Sequence, residues 1–200
     1  MLVWFKQQVE LYKVLEKWRD ESSNYASDEP KDNSWFIDEF SIPLGTADDD
    51  RVFERAAIRL LRYKFYPTSV LHAAANFIRE RRAPRPGEQI VQRVKVIPGI
   101  VDAVTMNIVT DVCDEPDRCG FRIVTSNQQY EKGEWSAYIS RDGDGNVELN
   151  VKVISKPATP LPFISSSFAR ALQKRAHRLA LNSFSNAIRG CSEHGAAYGV

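Results

Sequence analysis

The sequence of 200 residues has few of the residues that define the simplest functional classes. It contains three cysteines and three histidines, and none of them stands in a C-x-x-C or H-E-x-x-H spacing. So few cysteines cannot build a disulfide framework, and no zinc motif begins with them. We therefore expect no metal and no cofactor, and we expect the reducing, cytoplasmic compartment in which free thiols persist.

An excess of charge of one sign is also lacking. Lysine and arginine number 27, aspartate and glutamate 26, so the formal net charge is only +1. A chain with this balance has no overall field that would attract nucleic acid or an anionic membrane, and no nucleic-acid partner is expected. The G-x-S-x-G, P-loop and dinucleotide fingerprints are absent as well, which excludes the familiar hydrolase, kinase and dehydrogenase signatures.

Long apolar runs are missing too. The first five residues are apolar, but charged residues follow from Lys6 onward, so we expect neither an export signal nor a transmembrane segment. The composition, with 43% hydrophobic and 26% charged residues, is that of an ordinary globular domain.

The first 90 residues contain helical patterns. Apolar residues three and four positions apart predict an amphipathic helix over 2–19, and the polar stretch 20–43 predicts an acidic linker with an apolar anchor at Trp35. Asp48, Asp49 and Asp50 predict the start of a helix that runs to about residue 63, and a second helix is expected over 69–82. We therefore divide the chain into an N-terminal extension (1–47), a main domain (48–190) and a loose tail (191–200).

The remainder of the chain changes to strand patterns. Runs of β-branched residues predict antiparallel strands at 89–96, 101–112, 120–125, 133–140 and 147–155. The residues of the segment 142–146 tolerate positive φ and predict a tight hairpin turn. A calcium loop is not expected there, because Val147 and Val153 stand where it needs its glycine and its glutamate. An apolar stripe then predicts a long helix from about Ser165 to Arg189. The predicted fold is α+β, an antiparallel sheet curved around a long C-terminal helix, with an extra N-terminal helix.

Several short blocks resemble a known family. They are Phe53-Glu54-Arg55-Ala56-Ala57, Leu60-Leu61-Arg62-Tyr63-Lys64-Phe65-Tyr66-Pro67, Asp114-Glu115-Pro116 with Cys119-Gly120-Phe121, Gly133-Glu134, Ile154-Ser155-Lys156-Pro157 and the helix 168–175. In order and spacing they resemble the uncharacterised protein family 0548, a family of unknown function. The chain departs from that family at Ile123-Val124, at Trp135 and in the loop 126–131.

That family looks like the helix-grip fold of the START and Bet v 1 superfamily. The resemblance implies a cavity between sheet and helix, which in that superfamily holds lipids, sterols and other apolar ligands. On this basis we predict a site for an apolar small molecule or lipid, lined by Val104, Met106, Ile108, Phe121, Ile123, Glu134, Trp135, Tyr138, Val151, Val153, Phe168 and Leu172. The alternative for all of them is a filled core.

Two other functions stay open at this stage. An enzyme in the same cavity would use Glu134 or Tyr138 as acid or base, although alternation along their strand favours a solvent-facing side for both. An interaction module would instead bind a partner through the N-terminal aromatic helix and the basic C-terminal helix. The aromatic residues before position 41 are expected to cover the core or to form a homodimer.

The remaining polar candidates are given structural interpretations. His177 is expected at the surface of the C-terminal helix, and His72 is expected to pack inside a helix. Cys113 and Cys119 are expected to be small buried residues. The basic residues of the C-terminal helix are expected to be solvated or to pair with the acidic N-terminal segment; they are Arg170, Lys174, Arg175, Arg178 and Arg189.

Overall fold

The computed structural model describes residues 1–4, 7–46, 49, 51–97, 99–158 and 166–195, with side chains of the last helix described for 170–190. The elements in chain order are β1 (Leu2–Trp4), α1 (Leu11–Lys17), β2 (Phe36–Gly45), α2 (Val52–Leu61), β3 (Leu71–Ala74), α3 (Asn76–Glu80), β4 (Gln89–Ile97), β5 (Val101–Glu115), β6 (Arg118–Thr125), β7 (Glu131–Arg141), β8 (Val147–Pro157) and α4 (Ser166–Gly195). No helix in the described ranges is long and apolar enough to cross a membrane.

All the strands belong to one antiparallel sheet. Its order is β2-β8-β7-β6-β5-β4-β3, and β1 pairs with the start of β5. Strands β4 to β8 are neighbours in sequence and in space, as expected for a meander joined by short turns. The predicted architecture, an antiparallel sheet against a long C-terminal helix, is confirmed.

The main core lies between α4 and the face of the sheet that carries Trp135, Ala137 and Ile139, which we call the inner face. Phe184 of α4 joins this core, where it is fully buried. Aromatic rings connect the layers: the ring centres of Phe65 and Trp135 are 5.4 Å apart. Burial of large aromatic side chains is a major source of folding free energy, so this cluster fixes the helix on the sheet.

The opposite, outer face of the sheet is also covered in part. Val3 of β1, Leu15 of α1 and Trp18, which directly follows α1, pack on Val104 and Met106. A further cluster joins Tyr25 and Trp35 to Val124 and Ile154. The middle strands are therefore buried on both faces, which removes the simple alternation of a half-exposed sheet.

The N-terminal predictions were partly wrong. Residues 2–4 form β1, and the helix spans only Leu11–Lys17. The expected linker contains β2, which pairs with β8 over its whole length. Alternation explains β2, because Phe40 and Ile42 pack on the core while Glu39 and Ser41 are exposed.

The second predicted helix was also wrong. Residues 71–74 form the edge strand β3 against β4, and a short helix, α3, follows. His72 consequently lies exposed on β3 instead of packing inside a helix. The short apolar run before Asn76 suits both a helix and a strand, and pairing with β4 decides between them.

The remaining elements are confirmed. The helix α2, the strands β4 to β8 and the helix α4 lie where the sequence predicts them, but α4 continues to Gly195 and so takes in residues 191–195 of the expected loose tail. The hairpin after β7 is held by Asp142, whose carboxylate accepts hydrogen bonds from the backbone N–H groups of Asn146 (2.8 Å) and Asp144 (3.0 Å). The side-chain amide of Asn146, which donates to Oδ2 of Asp142, and these backbone N–H groups lower the pKa of Asp142. Asp48 and Asp50, expected at the start of α2, lie outside the described residues.

Candidate functional site

A cavity of about 240 Å³ lies between the inner face and α4. Strands β4 to β8 form one wall, and α4 with the segment after α2 forms the other. Most of the walls are apolar, with polar groups gathered at particular places. Small-molecule sites usually enclose roughly 300–1,000 Å³, so this cavity suits a compact molecule.

Five of the predicted site residues line this cavity: Ile123, Glu134, Trp135, Val153 and Leu172. That they contact a ligand stays a prediction. Phe121 and Val151 point to the same side of the sheet but are packed within the core beside the cavity. Phe168 lies on α4, outside the residues whose side chains are described.

Three other predicted residues were assigned to the wrong face. Val104 and Met106 pack on the outer face against α1. Ile108 packs against the cluster of Tyr25, Trp35, Val124 and Ile154, which we call the outer aromatic cluster. The side of β5 that borders the cavity instead presents Thr105 and Asn107. The prediction failed because the apolar side of β5 was taken as the inward one, whereas N-terminal elements cover that side.

Tyr138 does not belong to the cavity. Its hydroxyl donates a hydrogen bond of 2.8 Å to Oδ2 of Asp111, and the guanidinium of Arg118 lies 4.6 Å from the ring centre. Burial and the Asp111 carboxylate raise the pKa of Tyr138 to about 12. An acid–base role for Tyr138 inside the cavity is therefore excluded by its position.

Glu134 borders the cavity, but its side chain points to the outer face. It pairs in register with Val124 and Ile154, which lie in the outer aromatic cluster. There its carboxylate interacts with Tyr25, and burial together with this carboxylate raises the pKa of Tyr25 to about 12. The register thus turns the Glu134 carboxylate to the outer face, and its acid–base role in the cavity stays a prediction.

His177 was expected at the surface, and it is only 5% exposed. It lines the cavity between the rings of Phe40 and Tyr66, at centre distances of 5.8 Å and 6.1 Å. Burial lowers the pKa of His177 to about 4, with nearby Arg170 acting in the same direction and Asp38 opposing it. The imidazole is therefore neutral at physiological pH.

A hydrogen-bond network begins one helical turn before His177. Nε2 of Gln173 lies 3.3 Å from Oε2 of Glu131 and 3.2 Å from Oγ of Ser155. Nη1 of Arg170 donates to Oε1 of Gln173 at 2.6 Å. Burial raises the pKa of Glu131, while Arg170 opposes this effect. We call Tyr66, Glu131, Gln173 and His177 the polar end of the cavity.

The sheet contributes a second group of polar side chains. The amide of Gln92 donates a hydrogen bond to the hydroxyl of Tyr63, and Gln129 donates to Oδ1 of Asn107 at 2.9 Å. Oγ1 of Thr105 is buried without a partner among the described residues. Gln92 and Thr105 face each other across β4 and β5. Paired polar residues inside otherwise apolar strands are the sequence signal that could have revealed this wall.

The described part of the chain contains neither a metal-binding cluster nor a thiol activated as a nucleophile. No group of three or more histidine, cysteine, aspartate or glutamate side chains comes together there. Cys119 is buried, which raises the pKa of its thiol to about 12, and the pKa of Cys113 is raised for the same reason. Thiols with raised pKa values are poor nucleophiles at neutral pH.

A family model described as "Domain of unknown function (DUF1990)" matches residues 20–183. The chain belongs to this family. The match confirms that the short blocks belong to a family of unknown function, and it covers the cavity walls from β2 to most of α4. A search of curated proteins finds no match to this DUF1990 chain.

Solved structures share the fold of this DUF1990 protein. Hypothetical protein jhp0584 from Helicobacter pylori is 10% identical, with 80% of this chain and 90% of that chain covered and a TM-score of 0.51. The chain is also similar to a START superfamily protein from Mycobacterium smegmatis, which is 11% identical, with 78% of this chain and 98% of that chain covered and a TM-score of 0.49. Ara h 8.0201 is 10% identical, with 78% of this chain and 99% of that chain covered and a TM-score of 0.48. With its sheet around the C-terminal helix, the chain has the helix-grip fold.

Proposed function

We propose that this protein binds an apolar small molecule or compact lipid in the cavity between the inner face and α4. The observation that carries the proposal is the partly open, unfilled volume of about 240 Å³ between the sheet and α4. Protein interiors are close-packed, and voids larger than a few water molecules are rare. An apolar cavity with a few convergent polar groups is the usual form of a small-molecule site.

The walls support a compact ligand. Trp135 and Val153 on the sheet and Leu172 and Ala176 on α4 give apolar surfaces on opposite sides. A molecule of one or two rings, or a short lipid, would bury its apolar surface against both. Each CH₂ group buried in this way contributes roughly 0.8 kcal/mol.

Native mass spectrometry of protein purified without detergent, followed by analysis of the organic extract, tests the proposal. We expect an adduct of a few hundred daltons that reappears in the extract. Ala176→Phe places a ring in the cavity and should abolish the adduct. Ala171→Phe makes the same change at an exposed position of α4 and should retain it. A bare mass for the unaltered protein, with no uptake of an added uncharged naphthalene dye, would reject the proposal.

Catalysis in the same cavity is the second candidate function. The observation that favours it is the raised pKa of Glu131, at the cavity wall and hydrogen-bonded to Gln173. A carboxyl group with a raised pKa is suited to general acid–base chemistry. Conversion of an extracted ligand by the unaltered protein but not by Glu131→Gln would establish an enzyme; unchanged ligand would leave a binding protein.

Self-association and location stay predictions. Trp4 is 69% exposed, so the N-terminal segment offers an aromatic side chain to a second copy. Trp18, by contrast, is buried against the sheet of its own chain. A homodimer is expected to dissociate when Trp4 is replaced by serine, which sedimentation equilibrium would measure. A cytoplasmic location and the lack of a nucleic-acid partner likewise remain expectations from composition.

A further inference from the structure

We propose that the polar end of the cavity selects uncharged ligands with a hydroxyl group, alcohols or phenols, and discriminates against carboxylates, with His177 as the residue that binds the hydroxyl. This inference rests on the proposed function, because it assumes that the cavity takes a ligand. It adds the chemical class of that ligand and the residue that recognises it.

The first argument is the unused hydrogen-bonding capacity of His177. The residue is 5% exposed and lines the cavity, and its Nδ1 atom has no hydrogen-bond partner among the described residues. A buried polar atom without a partner destabilises the fold, so a ligand that supplies the partner regains that free energy. A hydroxyl both donates and accepts, and it therefore suits either neutral tautomer of the imidazole.

The second argument is the charge of the surroundings. Glu131 lies in the same end of the cavity and brings negative charge when it is ionised. Arg170, the nearest described cation to this network, is already bound to Asp38 and Gln173. A ligand carboxylate would therefore meet a carboxyl group and a neutral imidazole in a partly desolvated site. Burial of an unpaired charge there is far less favourable than burial of a hydroxyl.

The opposite wall offers a second polar contact. Oγ1 of Thr105 is buried and unpartnered in the described structure, and Thr105 lines the cavity. Its side chain is uncharged, like that of its cross-strand neighbour Gln92. Thr105 and Gln92 on the sheet and His177 on α4 are thus neutral hydrogen-bonding groups, which agrees with an uncharged ligand. Lys95 and Glu131 are charged residues that also border the cavity.

Isothermal titration of the full chain with three matched probes at neutral pH tests the inference. The probes are 2-naphthol, 2-methylnaphthalene and 2-naphthoate, which share a two-ring body and differ in the attached group. We expect 2-naphthol to bind about tenfold more tightly than 2-methylnaphthalene, as one buried hydrogen bond provides, and 2-naphthoate to bind most weakly.

Variants identify the residue. His177→Phe should bring the affinity for 2-naphthol down to that for 2-methylnaphthalene while the latter still binds. His72→Phe makes the same change at an exposed histidine on β3 and should keep the preference. Thr105→Val, which preserves the shape of the side chain, should lower the affinity for 2-naphthol by a smaller factor than His177→Phe does.

The outcomes separate the inference from the proposed function. Equal affinities for 2-naphthol and 2-methylnaphthalene, or tightest binding of 2-naphthoate, overturn the inference and leave a binding cavity. If a folded His177→Phe variant still prefers 2-naphthol to 2-methylnaphthalene, His177 is not the residue that binds the hydroxyl. If that variant does not fold, the ranking of the three probes on the unaltered protein still decides. Failure of all three probes to bind would reject the inference together with the proposed function for compact ligands.

Discussion

Arg170 of α4 and Asp38 of β2 form an ion pair, with 2.6 Å between Nη2 and Oδ1. Their side chains are only 14% and 15% exposed, and the guanidinium also lies 4.6 Å from the ring centre of Phe36. The basic residues of α4 were expected either to be solvated or to pair with the acidic N-terminal segment, and Arg170 forms such a pair. The contact joins the beginning of the described part of α4 to the edge strand next to the polar end of the cavity.

Loss of this pair should destabilise the protein. Arg170→Met leaves Asp38 half-buried without its cation and removes the donor to Gln173. We expect the free energy of unfolding to fall by about 2–3 kcal/mol, measured by denaturant titration. The exposed pair Lys152–Glu39 on the neighbouring strands is the control, and Lys152→Met should change the value by less than about 1 kcal/mol. Equal effects of the two substitutions would contradict the structural role of Arg170.

The buried neutral imidazole of His177 predicts a pH dependence of stability. The pKa of His177 is about 4 in the folded protein against an ordinary value of 6.5. Between these values the unfolded chain binds more protons, so acidification from about pH 6.5 to pH 4 should lower the free energy of unfolding by up to about 3 kcal/mol. Asp38 and Arg170 are the charged groups whose fields act on His177, in opposite directions.

The comparison of variants isolates this contribution. His177→Phe should show a weaker loss of stability over the same pH range, whereas His72→Phe should follow the unaltered protein. Glu131 acts with the opposite sign, because its raised pKa favours the protonated folded form, but it is present in all three proteins. Parallel pH profiles for the unaltered protein and His177→Phe would show that the imidazole is not buried as a neutral group.

The fold could be predicted from the sequence wherever one face of an element is buried. In β8 the residues Leu149, Val151 and Val153 alternate with Asn150 and Lys152, and the structure places the apolar set in the core. Such alternation identifies a strand and its orientation at once. The long apolar stripe of α4 similarly predicted its contact with the sheet.

The candidate site was predicted only in part, because its polar residues occupy buried positions at which sequence patterns predict apolar ones. In β5 both sides are buried, and the more apolar side is covered by α1, so Val104 was assigned to the cavity and Thr105 was not. His177 lies between basic residues in the sequence, yet it is buried and lines the cavity. No local pattern distinguishes a polar residue in a cavity from one in solvent.

The approach of β7 to β8 predicts a sensitive glycine. A Cβ atom at Gly133 would lie 1.9 Å from the carbonyl oxygen of Ile154, a distance that forces the two strands apart. Gly133→Ala should therefore lower the free energy of unfolding by about 3 kcal/mol, as overpacking of a core does. At Gly143, in the exposed hairpin, no atom lies within 4 Å of the added Cβ, and Gly143→Ala should be nearly neutral. A harmless Gly133→Ala, judged by thermal unfolding, would contradict the pairing of β7 and β8.

The outer cover of the sheet predicts different roles for two tryptophans near the N-terminus. Trp18 is 7% exposed and packs with Leu15 over Val104 and Met106, whereas Trp4 is 69% exposed. Trp18→Ala should lower the free energy of unfolding by about 3–5 kcal/mol, since it opens a cavity over a buried strand, and Trp4→Ala should cost less than about 1 kcal/mol. Denaturant unfolding of the two variants measures the difference. Similar small losses for both would mean that α1 does not cover β5, and the outer face of the sheet would then be open to a partner.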